Sequence, residues 1–233
     1  MAGSSTEVAV EYDPGVPRPP FMWTVELPPT FSVLDINPQT WRGRIDRSVD
    51  ALVPGYRMSA AQKRQAGLIL TETVLAAQKA QAVAVLLKGG VIDGPLIATT
   101  SLIFRWADAS PRLASLGAVK KAFSGQQTEE RSTPGGMGWV LVESVEQAGP
   151  VTDRRAVFVY QGFLPIPGTS WMLIVTASAP SEDTKDSVKD IVIRVVGSVG
   201  IFGDSAGYTV DELASTFGQD YATVVIPDGQ EQG

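Results

Sequence analysis

The chain has 233 residues, of which 44% are hydrophobic and 19% charged, a balance typical of a globular protein rather than a disordered one. It contains no cysteine and no histidine, which excludes disulfides, the usual zinc sites and nucleophilic sites that depend on histidine. The net charge of −6 comes from six acidic residues within residues 203–233, where there are no bases; residues 1–202 are therefore neutral and lack the basic excess typical of nucleic-acid-binding proteins.

The N-terminal residues predict an extended arm followed by strands. Four prolines lie within residues 14–20, and proline cannot donate a backbone hydrogen bond to a sheet or a helix. We therefore expect a proline-rich arm over residues 1–20. Residues 21–27 alternate as a strand does, and residues 31–36 predict a second short extended segment.

Two helices are predicted next. Asn37 followed by Pro38 is typical of a helix start, and a stripe at helical spacing favours a helix that ends before Pro54. The stripe consists of Trp41, Ile45, Val49 and Leu52. Ser59 predicts the cap of a second, alanine-rich helix that runs to about residue 80.

The second half of the chain predicts mainly strands. They cover residues 82–87, 96–106, 138–145, 155–163 and 171–178, with a glycine-rich connection over 88–95 and a short helix over 113–123. A polar stretch with Pro134-Gly135-Gly136 precedes the last three strands.

A final helix and an acidic tail complete the predicted order. Ser181 is expected to cap a helix over residues 181–199, whose valines and isoleucines run against helix propensity. Burial against a sheet has to stabilise such a helix. We therefore predict an α+β domain over residues 21–202, an antiparallel sheet flanked by helices with a helical insert, and a weakly structured acidic tail over residues 203–233.

The order of these elements resembles a known superfamily. The resemblance rests on the opening strand, the helical insert before residue 82, and the phrase Met172-Leu173-Ile174-Val175-Thr176-Ala177-Ser178-Ala179-Pro180 followed by Ser181-Glu182-Asp183. Over roughly residues 21–202, the chain resembles the PsbP/Mog1-like superfamily, particularly its actinobacterial LpqN-like branch. The resemblance implies an antiparallel sheet flanked by helices that serves as a protein-binding scaffold rather than a catalyst.

Several residues are candidates for contact with a partner. Arg42, Arg44 and Arg47 could hold an acidic partner or simply solvate the outer face of their helix. The loop after residue 163 is unusually apolar, and it marks a contact surface if exposed and ordinary packing if buried. Its candidates are Phe163, Leu164, Ile166 and the neighbouring Trp171. In the tail, Tyr221 and Val224 belong to a β-prone segment that either adds a strand to a partner or pairs with this protein's own sheet.

The sequence therefore favours a non-catalytic protein-binding module, an adaptor or a chaperone-like accessory protein, over an enzyme. We expect no catalytic residues, no metal, no cofactor, no nucleic acid and no membrane span. One alternative is a carrier of a small apolar or lipid ligand, which requires a closed apolar cavity. The start of the chain lacks a signal-peptide pattern, so a cytoplasmic location is predicted. The phrase Tyr208-Thr209-Val210-Asp211-Glu212 fits the loose pattern of type VII export substrates, which makes non-classical export another alternative.

Overall fold

A computed structural model describes residues 15–92, 96–148, 154–202 and 222–223. The N-terminal half contains three short strands, β1 (Met22–Thr24), β2 (Glu26–Leu27) and β3 (Ser32–Leu34), and two helices, α1 (Trp41–Ala51) and α2 (Ala60–Lys79). The remaining elements follow in the order β4 (Ala84–Ile92), β5 (Leu96–Asp108), α3 (Leu116–Ala122), β6 (Gln127–Ser132), β7 (Gly138–Ala148), β8 (Arg155–Pro165), β9 (Trp171–Ala179), α4 (Glu182–Gly197), β10 (Gly200–Phe202) and β11 (Ala222–Thr223).

Seven strands form one antiparallel sheet. Their order is β3-β4-β5-β9-β8-β7-β6, so β3 and β6 are its two edge strands within the described residues. β1 pairs separately with β10, and β2 with β11, both antiparallel. The predicted fold class, an antiparallel sheet flanked by helices in an α+β domain, is confirmed.

Helix α4 covers one face of the sheet. Its valines Val188, Val192, Val195 and Val196 are all buried in the main core, as the stripe of β-branched residues predicts. Gly162 of β8 permits this close approach, since a Cβ there would lie 2.6 Å from Cγ2 of Val196. The segment with β1 and β2 contributes Trp23, Val25 and Leu27 to the same core.

The opposite face carries two separate helical blocks. Helices α1 and α2 pack over β3 and β4 through a cluster that includes Trp41, Leu70 and Val85. Helix α3 packs at the other end through a smaller cluster with Val119 and Phe163. Each block lies beside one of the two edge strands.

Several predicted element boundaries are wrong, and one strand was not predicted. Helix α1 begins at Trp41, because the Asn37 side chain accepts a hydrogen bond from the Gln39 amide (2.9 Å) in a turn and leaves Thr40 as the N-cap. β4 continues through Lys88, Gly89 and Gly90, which were expected to form a connection. Helix α3 begins at Leu116 rather than at residue 113. β6 lies in the stretch that predicted no strand, because an edge strand of polar residues lacks apolar alternation.

The capping of α2 follows the prediction. The Ser59 hydroxyl accepts a hydrogen bond from the Gln62 amide (3.3 Å), while the Gln62 side chain accepts one from the Ser59 amide (2.8 Å). This reciprocal pair is a capping box.

Of the predicted acidic tail, the structure describes only Ala222 and Thr223. These two residues pair with Leu27 and Glu26 of β2, which agrees with the alternative that this segment pairs within its own chain. Tyr221, Val224 and the export-like phrase at residues 208–212 lie outside the described residues. The division into arm, domain and tail remains a prediction.

Candidate functional site

A surface groove lies between the edge strand β3 and helix α1. It encloses about 190 Å³, opens to solvent, and is called the β3–α1 groove below. It is lined by Ser32, Val33 and Leu34 from β3, Arg47, Ser48, Ala51 and Leu52 from α1 and its end, and Leu87 from β4.

The sequence explains why this groove stays open. Leu34, Leu52 and Leu87 are buried and provide an aliphatic floor. Above them, α1 presents Ser48 and Ala51, whose small side chains do not fill the space between the helix and the strand. The edge position of β3 leaves one side of its backbone without a partner strand among the described residues.

The three arginines of α1 have different surroundings. The Arg42 guanidinium lies 4.7 Å from the centre of the Trp41 ring. Arg44 forms an ion pair with Asp35, with 3.1 Å between Nη1 and Oδ2. Arg47 is exposed at the groove and forms no ion pair with any described residue. The structure therefore separates Arg47 from the two arginines that have intramolecular contacts.

A second depression, the polar cleft, lies where α4 crosses the β6 side of the sheet. It encloses about 390 Å³ and is open. Its lining consists of Gln127, Glu143, Ser144, Val145, Phe158, Tyr160, Lys185, Asp186 and Lys189.

An ion-pair network occupies the floor of the polar cleft. The Lys189 ammonium donates a hydrogen bond to Glu143 Oε1 at 2.5 Å and lies 3.7 Å from Glu129 Oε2. One helical turn earlier, Lys185 pairs with Glu182 and lies 5.6 Å from the centre of the Phe158 ring. The cations of the cleft therefore have partners within the chain.

The surroundings raise the pKa values of three groups that line the polar cleft. The hydrogen bond to Glu143 is the main cause that raises the pKa of Lys189 above its ordinary value. For Lys185, the hydrogen bond to Glu182 has the same effect on the pKa. Burial, and secondarily the Glu143 charge, raise the pKa of the Tyr160 hydroxyl. None of these three groups is shifted toward neutral pH, where general acid–base catalysis is most efficient.

Three apolar candidates at the loop after residue 163 are buried rather than exposed. Phe163, Leu164 and Ile166 are at most 4% exposed, because Leu164 and Ile166 belong to the main core and Phe163 to the α3 cluster. The packing alternative thus accounts for these three residues. Trp171 is half-buried, and its ring meets Trp106 edge-on with 6.5 Å between centroids.

Sequence reasoning identified Arg47 but missed the rest of both depressions. The groove joins residues that lie on β3, α1 and β4, and no local pattern connects Ser48 or Ala51 with Leu87. In the polar cleft, Lys185 and Lys189 lie four residues apart on one helix face, a spacing that could have indicated a shared site. Glu143, the partner of Lys189, is 46 residues away in the sequence.

The described residues contain neither a carboxylate cluster arranged for a metal nor a helix suited to crossing a membrane. Among those residues, no group of three or more carboxylates is arranged to hold a metal ion. No helix in the same part of the chain is long and apolar enough to cross a membrane.

Comparisons with known proteins give a weak structural likeness among solved structures. No family model and no curated protein matches the chain. Among solved structures, the chain is similar to LpqN, a protein involved in cell envelope biogenesis of Mycobacterium tuberculosis, with a TM-score of 0.37 and 11% identity over 78% of this chain and 86% of that one. A likeness at this level supports no argument about family, partner or location. The PsbP/Mog1-like resemblance and the cytoplasmic location therefore remain predictions.

Proposed function

We propose that this protein is a non-catalytic binding module that holds a segment of another protein in the β3–α1 groove. The observation that carries the proposal is the combination in one groove of an edge strand, an aliphatic floor and an arginine without an ion-pair partner among the described residues. An extended peptide can pair with an edge strand and so become an additional strand of the sheet, while neighbouring pockets select its side chains.

The shape of the groove favours a protein segment over an enclosed small ligand. Sites for small molecules bury most of the ligand surface in cavities of about 300–1,000 Å³. The β3–α1 groove is smaller, at about 190 Å³, and open. The larger polar cleft is open and lined mostly by polar groups, which is not the closed apolar cavity that the carrier alternative requires.

The titratable groups of the polar cleft support a non-catalytic role. Lys185 and Lys189 have ion-pair partners and raised pKa values, and Tyr160 has a raised pKa as well. A general base needs to lose its proton near neutral pH, and these groups are shifted in the opposite direction.

Photo-crosslinking in the organism that encodes the protein tests this function. A benzophenone amino acid is placed at Ala51, which is exposed in the groove, and in a control chain at Ala76, which is exposed on α2 outside the groove lining. We expect a crosslinked protein from the Ala51 chain that is absent from the Ala76 chain and is lost when Leu87 is changed to Trp in a chain shown to fold. Equal crosslinking from both positions, or none from Ala51, contradicts a binding role for the groove.

A further inference from the structure

We propose that the segment held in the β3–α1 groove is the C-terminal end of a protein chain with an aliphatic last residue, and that Arg47 binds its terminal carboxylate. This inference rests on the proposed function and specifies the chemistry of the partner. It combines the charge at one position of the groove with the size of the groove and the free backbone beside it.

The first step is the charge. Of the three arginines of α1, Arg42 stacks on Trp41 and Arg44 pairs with Asp35, so their positions are explained within the chain. Arg47 lines the groove and has no carboxylate partner among the described residues. A guanidinium binds a carboxylate through two parallel hydrogen bonds, so an anionic group is the complementary ligand.

The second step is the size of the groove. Its volume of about 190 Å³ is below the roughly 300–1,000 Å³ of small-molecule sites, which suits one aliphatic side chain and a carboxylate rather than the face of a helix. Leu34, Leu52 and Leu87 present only aliphatic surface to that side chain. An internal Asp or Glu would supply the carboxylate but would leave this apolar floor uncovered.

The third step is the backbone. In an antiparallel ladder, the N–H and C=O groups of successive residues point alternately toward the partner strand and away from it. β3 pairs with β4 on one side only, from Ser32 opposite Leu87 to Leu34 opposite Val85. An extended peptide can therefore form backbone hydrogen bonds along β3 while its last side chain enters the groove. A free fatty acid offers the same carboxylate and aliphatic chain but no peptide groups.

A peptide array with the full-length chain tests the proposal. Pentapeptides of varied sequence are presented once with a free C-terminal carboxylate and once as C-terminal amides, and the best binders are remeasured in solution by fluorescence anisotropy. We expect binding to free acids that end in Leu, Ile or Val, and affinity at least about tenfold weaker for the matching amides because the charge-assisted hydrogen bonds are lost. R47Q should weaken binding of the free-acid peptide by a similar factor. R42Q removes the same charge outside the groove and should not weaken this binding.

The other outcomes separate this proposal from the proposed function. A51W places a large side chain in the groove. If free-acid and amide peptides bind equally and A51W abolishes both, the groove binds peptides but the proposed recognition of the terminal carboxylate is wrong. Octanoate, a free fatty acid, is tested in the same assay. If octanoate binds in an Arg47-dependent manner and no peptide binds, both proposals fail and the carrier alternative is favoured. If nothing binds, or if R42Q weakens binding as much as R47Q, the assignment of Arg47 is overturned. Thermal melts of all variants establish that each is folded.

Discussion

Gly89 in β4 lies directly against Leu52 at the end of α1. A Cβ on Gly89 would lie 2.4 Å from the Leu52 carbonyl oxygen and 2.6 Å from its Cγ. The contact fixes the position of the end of α1 on the sheet. Leu52 is also part of the floor of the β3–α1 groove, so the same glycine helps to shape the candidate site.

Changing Gly89 to Ala should destabilise the protein by about 1–3 kcal/mol, because the clash is with backbone atoms that cannot rotate away. Gly90 provides a matched control, since a Cβ there meets nothing within 4 Å. Gly90→Ala should be neutral or slightly stabilising, because alanine has less conformational freedom to lose on folding. Urea unfolding of both variants measures the difference, and equal midpoints for the two would contradict the close contact.

Val192 tests whether α4 is a core element. Its side chain is fully buried against the sheet, so Val192→Asp would leave an unpaired charge in the core. We expect a loss of at least about 4 kcal/mol, or failure to fold. Val145, which is 60% exposed, provides the control, and Val145→Asp should have little effect. A thermal melt of Val192→Asp within about 2 °C of wild type would show that α4 is not part of the core.

The ion pair in the polar cleft should contribute measurably to stability. Glu143 is only 21% exposed, so Lys189→Met would leave a partly buried carboxylate without its main partner. We expect a loss of roughly 1–2 kcal/mol, partly restored by adding Glu143→Gln. Lys185→Met removes a pair whose acid, Glu182, is 65% exposed, and it should cost less. Denaturant titrations of the three variants test this order, and a Lys185→Met loss as large as that of Lys189→Met would contradict it.

The raised pKa values predict a specific loss of stability at alkaline pH. Tyr160 and Lys189 both have higher pKa values in the folded chain than the ordinary 10.0 and 10.5, so the folded state retains protons that the unfolded state releases. The stabilisation from these two groups is fully present at pH values below their pKa in the unfolded chain. It is lost as the pH rises through their pKa in the folded chain. We measure the melting temperatures of wild type and Tyr160→Phe between pH 8 and about 11.5. Above about pH 10, the melting temperature of Tyr160→Phe should fall less steeply with pH than that of wild type. Parallel curves would exclude a contribution from Tyr160.

Removal of residues 203–233 tests the pairing of β11. The ladder between Ala222–Thr223 and β2 is part of the fold, and Leu27 of β2 belongs to the main core. We therefore expect truncation after Phe202 to lower the melting temperature, by about 2–4 °C for each kcal/mol lost in a chain of this size. Thr223→Pro should reproduce part of this loss without a change in charge, since proline disrupts a ladder. An unchanged melting temperature in both would support the other alternative, a separable tail.

Some of the fold could be predicted from local sequence because the signals lie within single elements. The alternation over β5 predicted that Leu102, Phe104 and Trp106 share one face, and all three are buried. Ser59 marked the start of α2, and the β-branched stripe of α4 predicted a helix that packs on a sheet. These elements bury a periodic set of apolar side chains, and the period of that set identifies the type of element.

Where local preference and tertiary contact disagree, the sequence was misleading. Lys88-Gly89-Gly90 has the composition of a turn, but pairing with β5 keeps it in β4, and the packing of Leu52 requires the glycine at 89. β6 has no apolar face to detect and exists through its ladder with β7. For Phe163, Leu164 and Ile166, the sequence left an exposed surface and ordinary packing both open, and only the structure decided that all three are buried. β8 also runs two residues further than expected.

The sequence by itself determined the absence of thiol and imidazole chemistry, the α+β class and most of the helices and strands, because composition and periodicity are local properties. Only the tertiary structure decided which of the three arginines lacks an intramolecular partner in the described chain and which small residues of α1 leave a groove beside β3. A groove forms from residues that are distant in sequence and brought together by packing. The chemistry of this candidate site therefore depends on contacts that no single stretch of the chain encodes.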